Sequence, residues 1–297
     1  MKKVVFKGSG VALITPMHAD SSVNFDTLER LIEFHLENKT DAIITCGTTG
    51  ESATMSDDER AAVIKFTVEK VAGRVPVIAG TGSNNTAHAI EMSRQAQKLG
   101  VDALLVVTPY YNKTSQKGLI EHYTHIADNV DLPIILYNVP SRTGVSIQPE
   151  TYLELSKHPN IVATKEANGD LSAIAKTIAL CGENLGVYSG NDDQILPILS
   201  LGGLGVISVF ANVCPRECHE IHEQYFSGNL DEARKLFLRA NELMNLLFCD
   251  VNPIPVKEAM NKLGFECGRC RLPLSTLTES NKNKLVNSMK NFGLVCK

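Results

Sequence analysis

The sequence lacks the features that mark nucleic-acid-binding, membrane and secreted proteins. Its 297 residues carry 29 Lys and Arg against 33 Asp and Glu, a net charge of −4, so no basic excess attracts nucleic acid or anionic lipid. No segment approaches the ~18 uninterrupted apolar residues of a membrane span. Near the N-terminus, Lys7 interrupts an apolar stretch far too short for the core of a signal peptide. We therefore expect a cytoplasmic protein with neither nucleic-acid nor membrane partners.

Several catalytic and nucleotide-binding motifs are also missing. The sequence has no G-x-G-x-x-G and no G-x-x-x-x-G-K-[ST], so dinucleotide-binding and P-loop interpretations lack support. It has no G-x-S-x-G elbow either, which argues against a serine hydrolase.

The eight cysteines are scattered along the chain, which suits free thiols in a reducing compartment. Cys267 with Cys270, and Cys214 with Cys218, are close enough in sequence to suggest a zinc site as the weaker alternative. Neither pair shows the pattern of a zinc ribbon, and we expect no metal. The histidines with helical i, i+3 spacing have no third ligand, so we expect them to face solvent: His122, His125, His219 and His222.

Short apolar, β-branched runs recur along the first three quarters of the chain. They are continuously apolar rather than alternating, as expected of parallel strands covered on both faces. The overall composition, 43% hydrophobic and 21% charged, is typical of a soluble globular protein. The predicted strands are 11–15, 42–46, 75–79, 103–108, 133–139, 161–164, 185–189 and 205–209.

Helical patterns separate these runs, for example the helix that a capping box opens at residues 56–59. Eight strands, each followed by a helix, predict an α/β fold of the (β/α)₈ TIM-barrel type over residues 1–226. A doubly wound open sheet is the alternative. Residues 227–297 contain helical patterns only and predict a small C-terminal helical appendage.

The active site of such a barrel lies at the carboxyl ends of its strands. Residues 47–51 (GTTGE) follow the second predicted strand. The glycines Gly47 and Gly50 would let successive backbone N–H groups form a nest for a carboxylate or phosphate. Glycine-rich turns also occur for steric reasons alone, so this loop does not specify a function by itself.

The most informative residue is Lys165, which follows the apolar run of the sixth predicted strand. A lysine buried in such a strand is costly unless it is neutral or paired. A neutral amine can attack a carbonyl carbon and form a Schiff base. The alternative is a structural lysine paired with a carboxylate. The neighbouring Glu166 would point to the opposite face of the strand and is not the obvious partner.

Tyrosines and an arginine follow the fourth and fifth predicted strands. Tyr110, Tyr111 and Tyr137 could be core residues with a solvated hydroxyl or members of a hydroxyl network. Arg142 lies in a loop of small residues at the barrel mouth, where it could bind a substrate carboxylate or simply be exposed.

Four segments together, 47–51, 110–112, 137–144 and 165–167, give the chain a specific resemblance. It resembles the pyruvate-dependent class I aldolase family, to which dihydrodipicolinate synthase and N-acetylneuraminate lyase belong. The resemblance runs nearly end to end. It implies a homotetramer, arranged as a dimer of dimers, that needs no metal or organic cofactor.

The resemblance also implies roles for individual residues. Lys165 would form the Schiff base with pyruvate, and Thr48 and Tyr137 would relay protons together with Tyr111 from a neighbouring subunit. Thr49 would hold the pyruvate carboxylate with the backbone of residues 47–50. The remaining matches, Gly190 and Ile207, would contribute backbone oxygens to the site.

Arg142 favours the synthase branch of this family, where an arginine binds the carboxylate of L-aspartate 4-semialdehyde. The implied reaction is the condensation of pyruvate with this aldehyde to 4-hydroxy-2,3,4,5-tetrahydrodipicolinate, the first committed step towards diaminopimelate and lysine. The alternatives are an aldolase or lyase acting on a sugar acid, and a catalytically silent barrel that binds a small molecule.

A regulatory lysine site is the part of the resemblance that fits least well. Family members inhibited by lysine bind it through a glutamate, and His88 stands at that position here. Arg60 adds a positive charge, which Asp57 would compensate in part. We therefore expect weak or absent lysine inhibition. The six matching positions are Ala53, Asp57, Arg60, Asn84, His88 and Tyr110.

Overall fold

The computed structural model describes residues 2–297, which form a closed barrel of eight parallel strands surrounded by helices. The strands follow one another in chain order, and the last pairs with the first. The predicted barrel is confirmed, and the open sheet is excluded. The strands are β1 Gly8–Ala12, β2 Ala42–Thr45, β3 Val77–Gly80, β4 Ala103–Val107, β5 Ile134–Asn138, β6 Ile161–Glu166, β7 Gly186–Ser189 and β8 Gly205–Ser208.

Apart from the short helix α5, the helices lie in the segments that separate and follow the predicted strands. At the start of the second helix, Ser56 accepts a hydrogen bond from the Glu59 N–H and donates its own N–H to the Glu59 carboxylate, which confirms the capping box. The helices are α1 Phe25–Glu37, α2 Asp57–Val71, α3 Thr86–Lys98, α4 Gln116–Ala127, α5 Pro140–Thr143, α6 Pro149–Leu155, α7 Leu171–Cys181, α8 Ile195–Ser200, α9 Pro215–Phe226, α10 Leu230–Leu246, α11 Ile254–Lys262 and α12 Glu279–Phe292.

Strand β1 begins and ends three residues earlier than predicted, because its first half is glycine-rich and does not read as a strand. A Cβ atom on Gly10 would lie 2.7 Å from Phe6 and 2.8 Å from Ile44, so the crowded interior requires glycine there. Leu13 still donates its N–H to the Ile44 carbonyl of β2 at 2.9 Å, but the Ile14 N–H donates instead to the Asn212 side chain at 3.1 Å.

Two apolar layers stabilise the barrel. One fills its interior and includes Phe6 and Tyr188, whose rings stack with centroids 4.3 Å apart. The other lies between the strands and the surrounding helices. The C-terminal helices continue this second layer, since α10 packs against α9 and α12 packs against α10 and α11. None of the helices within residues 2–297 is long and apolar enough to cross a membrane.

Candidate active site

Lys165 is a buried amine near the carboxyl end of β6. The residue is only 5% exposed. Its Nζ atom lies 4.3 Å from the ring centroid of Tyr137, which occupies the paired position on β5. No carboxylate in the described part of the chain forms an ion pair with Lys165, so the alternative of a structural ion-paired lysine is wrong. The amine is therefore buried without a carboxylate partner among the described residues.

Glu166 points away from the barrel interior, as its position in the strand predicts. Its carboxylate accepts hydrogen bonds from the Asn138 amide at 2.9 Å and the Tyr152 hydroxyl at 2.8 Å. The Asn168 N–H donates to it at 3.0 Å. Burial raises the pKa of the Glu166 carboxyl to about 7, although these hydrogen bonds act to lower it. This carboxyl therefore belongs to the outer wall of the barrel.

Gly190 leaves room for the side chain of Lys165. A Cβ atom at this position would lie 2.7 Å from the Ala167 Cβ and 3.2 Å from the Lys165 Cε. Ile207, on β8, is fully buried in the interior cluster that also contains Tyr137. Gly190 therefore lies beside the lysine, just after β7, and Ile207 lies in the barrel interior with Tyr137.

Asp192 is a buried carboxyl that the sequence analysis missed. Its Oδ2 atom accepts hydrogen bonds from the N–H groups of Val209 at 3.1 Å and Phe210 at 2.9 Å. Burial raises its pKa, while its hydrogen bonds and the positive charge of Lys165 act in the opposite direction. Asp192 thereby fixes the backbone that follows Ile207. Its only signal in the sequence is its position three residues after the end of β7.

The loop at residues 47–51 folds as two consecutive turns. The N–H groups of Gly50 and Glu51 donate to the carbonyls of Gly47 and Thr48, each at 3.1 Å. Within residues 2–297 the N–H groups of Thr48 and Thr49 have no acceptor, so these two remain for a ligand. A Cβ atom on Gly50 would lie 3.1 Å from the Leu13 carbonyl, so close packing also favours glycine there.

A cavity of about 330 Å³ adjoins this loop and brings Thr48 and Arg142 together. Arg142 lies in the short helix α5, not in an irregular loop as predicted, because Pro140 starts a helical turn there. Its guanidinium donates to the Asn252 carbonyl at 3.1 Å. The Asn252 amide donates in turn to the Thr49 hydroxyl oxygen at 3.0 Å. The carboxyl ends of the strands thus carry a buried amine on β6, and the loop after β2 and helix α5 carry groups suited to binding carboxylates.

The sequence model of the Dihydrodipicolinate synthetase family matches residues 5–292. The chain belongs to this family. It is 58% identical to the 4-hydroxy-tetrahydrodipicolinate synthase of Caldicellulosiruptor bescii over 293 residues, which are 99% of both proteins. The resemblance seen in the motifs is therefore confirmed.

Solved structures of dihydrodipicolinate synthases share this barrel. The enzyme from Aquifex aeolicus superposes with a TM-score of 0.96 at 45% identity, covering 98% of this chain and 100% of that chain. The chloride-inhibited enzyme from Acinetobacter baumannii, solved in complex with pyruvate, gives a TM-score of 0.96 at 42% identity with the same coverage.

Three of the six residues matched to the family's lysine site line the cavity beside Arg142: Ala53, Arg60 and Tyr110. The Nε2 atom of His88 lies 2.9 Å from the Asp57 carboxylate. That carboxylate is also 4.0 Å from the Arg60 guanidinium. Asn84 uses its carbonyl to accept a hydrogen bond from Asn112 at 2.9 Å.

Tyr111 lies apart from the other predicted relay residues. It is 92% exposed, and its backbone has a left-handed conformation with φ of 69°. The single chain therefore does not bring its hydroxyl to Thr48 or Tyr137. On the single chain the Tyr111 side chain projects into solvent.

Two of the four helix histidines are buried, so the prediction that they face solvent is wrong for His122 and His222. These residues lie on the faces of α4 and α9 that pack inward and are 7% and 1% exposed. Burial lowers the pKa of each ring to about 4. All eight cysteines are free thiols, and among residues 2–297 no three His, Cys, Asp or Glu side chains form a cluster suited to a metal ion.

The sequence analysis also missed Asn252 and Lys257, which belong to the C-terminal region. Lys257 forms a buried ion pair with Glu51 of the loop after β2, with Nζ and Oε1 2.7 Å apart. The two partners are 206 residues apart in sequence. No local pattern relates them, so only the folded chain reveals the contact.

Proposed function

We propose that this protein is a lyase that condenses pyruvate with L-aspartate 4-semialdehyde to give 4-hydroxy-2,3,4,5-tetrahydrodipicolinate. This is the first committed step towards diaminopimelate and lysine. The observation that carries the proposal is the buried Lys165 amine, which faces Tyr137 and has no carboxylate partner. The high identity to curated synthases over nearly the whole chain supports the same reaction.

The reaction begins when the Lys165 amine attacks the keto carbon of pyruvate. Water leaves, and an iminium ion joins lysine and pyruvate. Loss of a proton from the methyl group gives an enamine, whose carbon then attacks the aldehyde carbon of the second substrate. The amine of that substrate finally attacks the imine carbon and displaces Lys165 as the ring closes. The overall reaction releases one water molecule and regenerates the free lysine.

Thr48 and Tyr137 relay the protons of these steps in the proposed mechanism. Tyr111 from a second copy completes the relay, which is consistent with its exposure on the single chain. Positioned acid–base groups of this kind typically contribute ~10² to 10⁴ in rate. The proposed assembly is a homotetramer built from two such dimers.

The two substrate carboxylates bind at different points in this proposal. The pyruvate carboxylate accepts hydrogen bonds from the Thr49 hydroxyl and from the amides that the 47–51 loop leaves free. Gly190 and Ile207 contribute their backbone oxygens around the lysine. The carboxylate of the semialdehyde binds Arg142 at the cavity beside the loop.

No metal or organic cofactor takes part in the proposed reaction, because the Lys165 iminium ion itself withdraws electrons from the bound pyruvate. Arg142 distinguishes this proposal from a sugar-acid aldolase. A neutral sugar such as N-acetylmannosamine offers no carboxylate for its guanidinium.

The proposal is tested by trapping the enzyme with pyruvate and borohydride and locating the adduct by mass spectrometry. We expect a reduced pyruvyl group on Lys165. Incubation with the semialdehyde before reduction should remove the adduct, whereas N-acetylmannosamine should not. Loss of the adduct only with the sugar would identify a lyase of sialic-acid type instead. Complete absence of the adduct would leave a binding protein.

A further inference from the structure

A buried ion pair anchors the loop at residues 47–51 to the C-terminal helix α11. The side chains of Lys257 and Glu51 are 2% and 0% exposed. The second oxygen of Glu51 accepts the Arg271 N–H at 2.8 Å, and the Lys257 ammonium also donates to the Arg269 carbonyl at 3.0 Å. The C-terminal region therefore satisfies both oxygens of the carboxylate and insulates the pair from solvent.

The backbone of Glu51 has a conformation that residues other than glycine rarely adopt. Its φ angle of 56° lies in the left-handed region, where residues other than glycine are held by their surroundings. The Glu51 N–H donates to the Thr48 carbonyl at 3.1 Å. A side chain that fixes Glu51 therefore also fixes the turn that presents the free N–H groups of Thr48 and Thr49.

A second contact from the C-terminal region reaches Thr49 directly. Asn252, just before α11, donates its side-chain amide to the Thr49 hydroxyl oxygen at 3.0 Å. Because that oxygen accepts a hydrogen bond, the hydroxyl hydrogen is available for donation elsewhere. The part of the chain that the structure describes offers it no acceptor. An incoming carboxylate is the kind of acceptor this arrangement suits.

We propose that Glu51, Lys257 and Asn252 are positioning residues for the pyruvate carboxylate site. The ion pair holds the two free amides of the loop towards the barrel mouth, and Asn252 presents the Thr49 hydroxyl as a donor. This inference rests on the proposed function. It predicts that loss of these contacts weakens pyruvate binding and leaves the later chemical steps largely intact.

The decisive variant is the double substitution Glu51→Gln and Lys257→Met. A single substitution would leave one charge buried without its partner and destabilise the fold. The double variant removes both charges and nearly preserves side-chain size. We expect the KM for pyruvate to rise about tenfold, with kcat within about twofold and the KM for the semialdehyde unchanged. The matched control, Glu150→Gln with Lys176→Met, removes an ion pair whose side chains are 64% and 56% exposed and should change none of these constants.

The concentration of pyruvate that gives half-maximal borohydride labelling of Lys165 separates the two proposals. If the unmodified enzyme forms no adduct, the proposed function fails and this inference fails with it. The unmodified enzyme and the double variant could instead both be labelled, with the same half-labelling concentration of pyruvate. That result would overturn only the positioning role, even if the variant melts at a lower temperature. Should the double variant not fold, Asn252→Leu is measured in the same way, and an unchanged half-labelling concentration for that variant overturns the inference.

Discussion

The Nζ atom of Lys165 lies over the face of the Tyr137 ring, 4.3 Å from its centroid. An aromatic face attracts a cation at this distance, and the iminium ion of the proposed mechanism places positive charge at the same nitrogen. The tyrosine can therefore act through its ring as well as through its hydroxyl.

Substitutions at Tyr137 should separate these two contributions. Tyr137→Phe keeps the ring, so we expect normal borohydride labelling of Lys165 and a fall in kcat of ~10² to 10⁴ from the lost proton relay. Tyr137→Leu removes the ring as well and should also weaken labelling at a given pyruvate concentration. Equal labelling of the two variants would contradict a role for the ring. Lys165→Met is the control that forms no adduct.

Gly190→Ala should disable the lysine by crowding. The added Cβ would lie 2.7 Å from the Ala167 Cβ, 3.1 Å from the Glu166 carbonyl oxygen and 3.2 Å from the Lys165 Cε, so the surrounding atoms must move. We expect a clear loss of Lys165 labelling and of turnover. The second substitution Ala167→Gly removes the closest contact and should restore part of both. No recovery in the double variant would show that crowding against Ala167 is not the cause.

Arg142→Gln should affect the second substrate and spare the first. A charge-assisted hydrogen bond contributes ~1.5–3 kcal/mol, so its loss should raise the KM for L-aspartate 4-semialdehyde by ~10- to 150-fold. Labelling of Lys165 by pyruvate should stay close to normal, because the proposed pyruvate carboxylate site does not include the guanidinium. Steady-state kinetics with each substrate varied in turn measure the difference. An equal loss of affinity for both substrates would contradict the assignment.

Lysine should inhibit this protein weakly or not at all. The Asp57 carboxylate that would attract an amino group is already 2.9 Å from the His88 ring, and the Arg60 guanidinium beside it repels cations. An inhibition titration checks this expectation, and strong inhibition below millimolar lysine would overturn it. His88→Glu, which supplies the missing carboxylate, should increase the sensitivity to lysine.

His222 should make the fold sensitive to acid. Burial lowers the pKa of its ring from 6.5 to about 4 in the folded protein, so the unfolded chain binds a proton first as the pH falls. The stability from this neutral ring is present above pH 6.5 and is lost progressively down to the folded-state pKa. Between pH 7 and pH 5 the loss should be ~2 kcal/mol in the free energy of unfolding.

Urea unfolding of the unmodified protein and of His222→Gln at both pH values measures this dependence. The variant is expected to be less stable at pH 7, because it loses the hydrogen bond to the Cys218 carbonyl. Its stability should nevertheless change less between the two pH values. An identical change in both proteins would show that another group controls the acid response.

Much of the fold and part of the site could be predicted because their signals are local. A lysine such as Lys165 at the end of an apolar strand stands out in sequence. The glycine-rich start of β1 does not, because only the crowded interior shows why Gly10 is needed. Asn252 and Lys257 could not be assigned either, since their partners lie more than half the chain away and the region around them shows only the pattern of ordinary packed helices.

The alternation along β6 limits how this protein can evolve. Lys165 faces the barrel interior and Glu166 faces the outer wall, so inserting or deleting one residue within the strand would exchange an amine for a carboxyl at the mouth. The loops that follow the strands have no such restriction. In the proposed mechanism, acceptor specificity can therefore change through the segments that follow the strands, including α5 with Arg142, whereas the step that uses the lysine depends on the register of one strand.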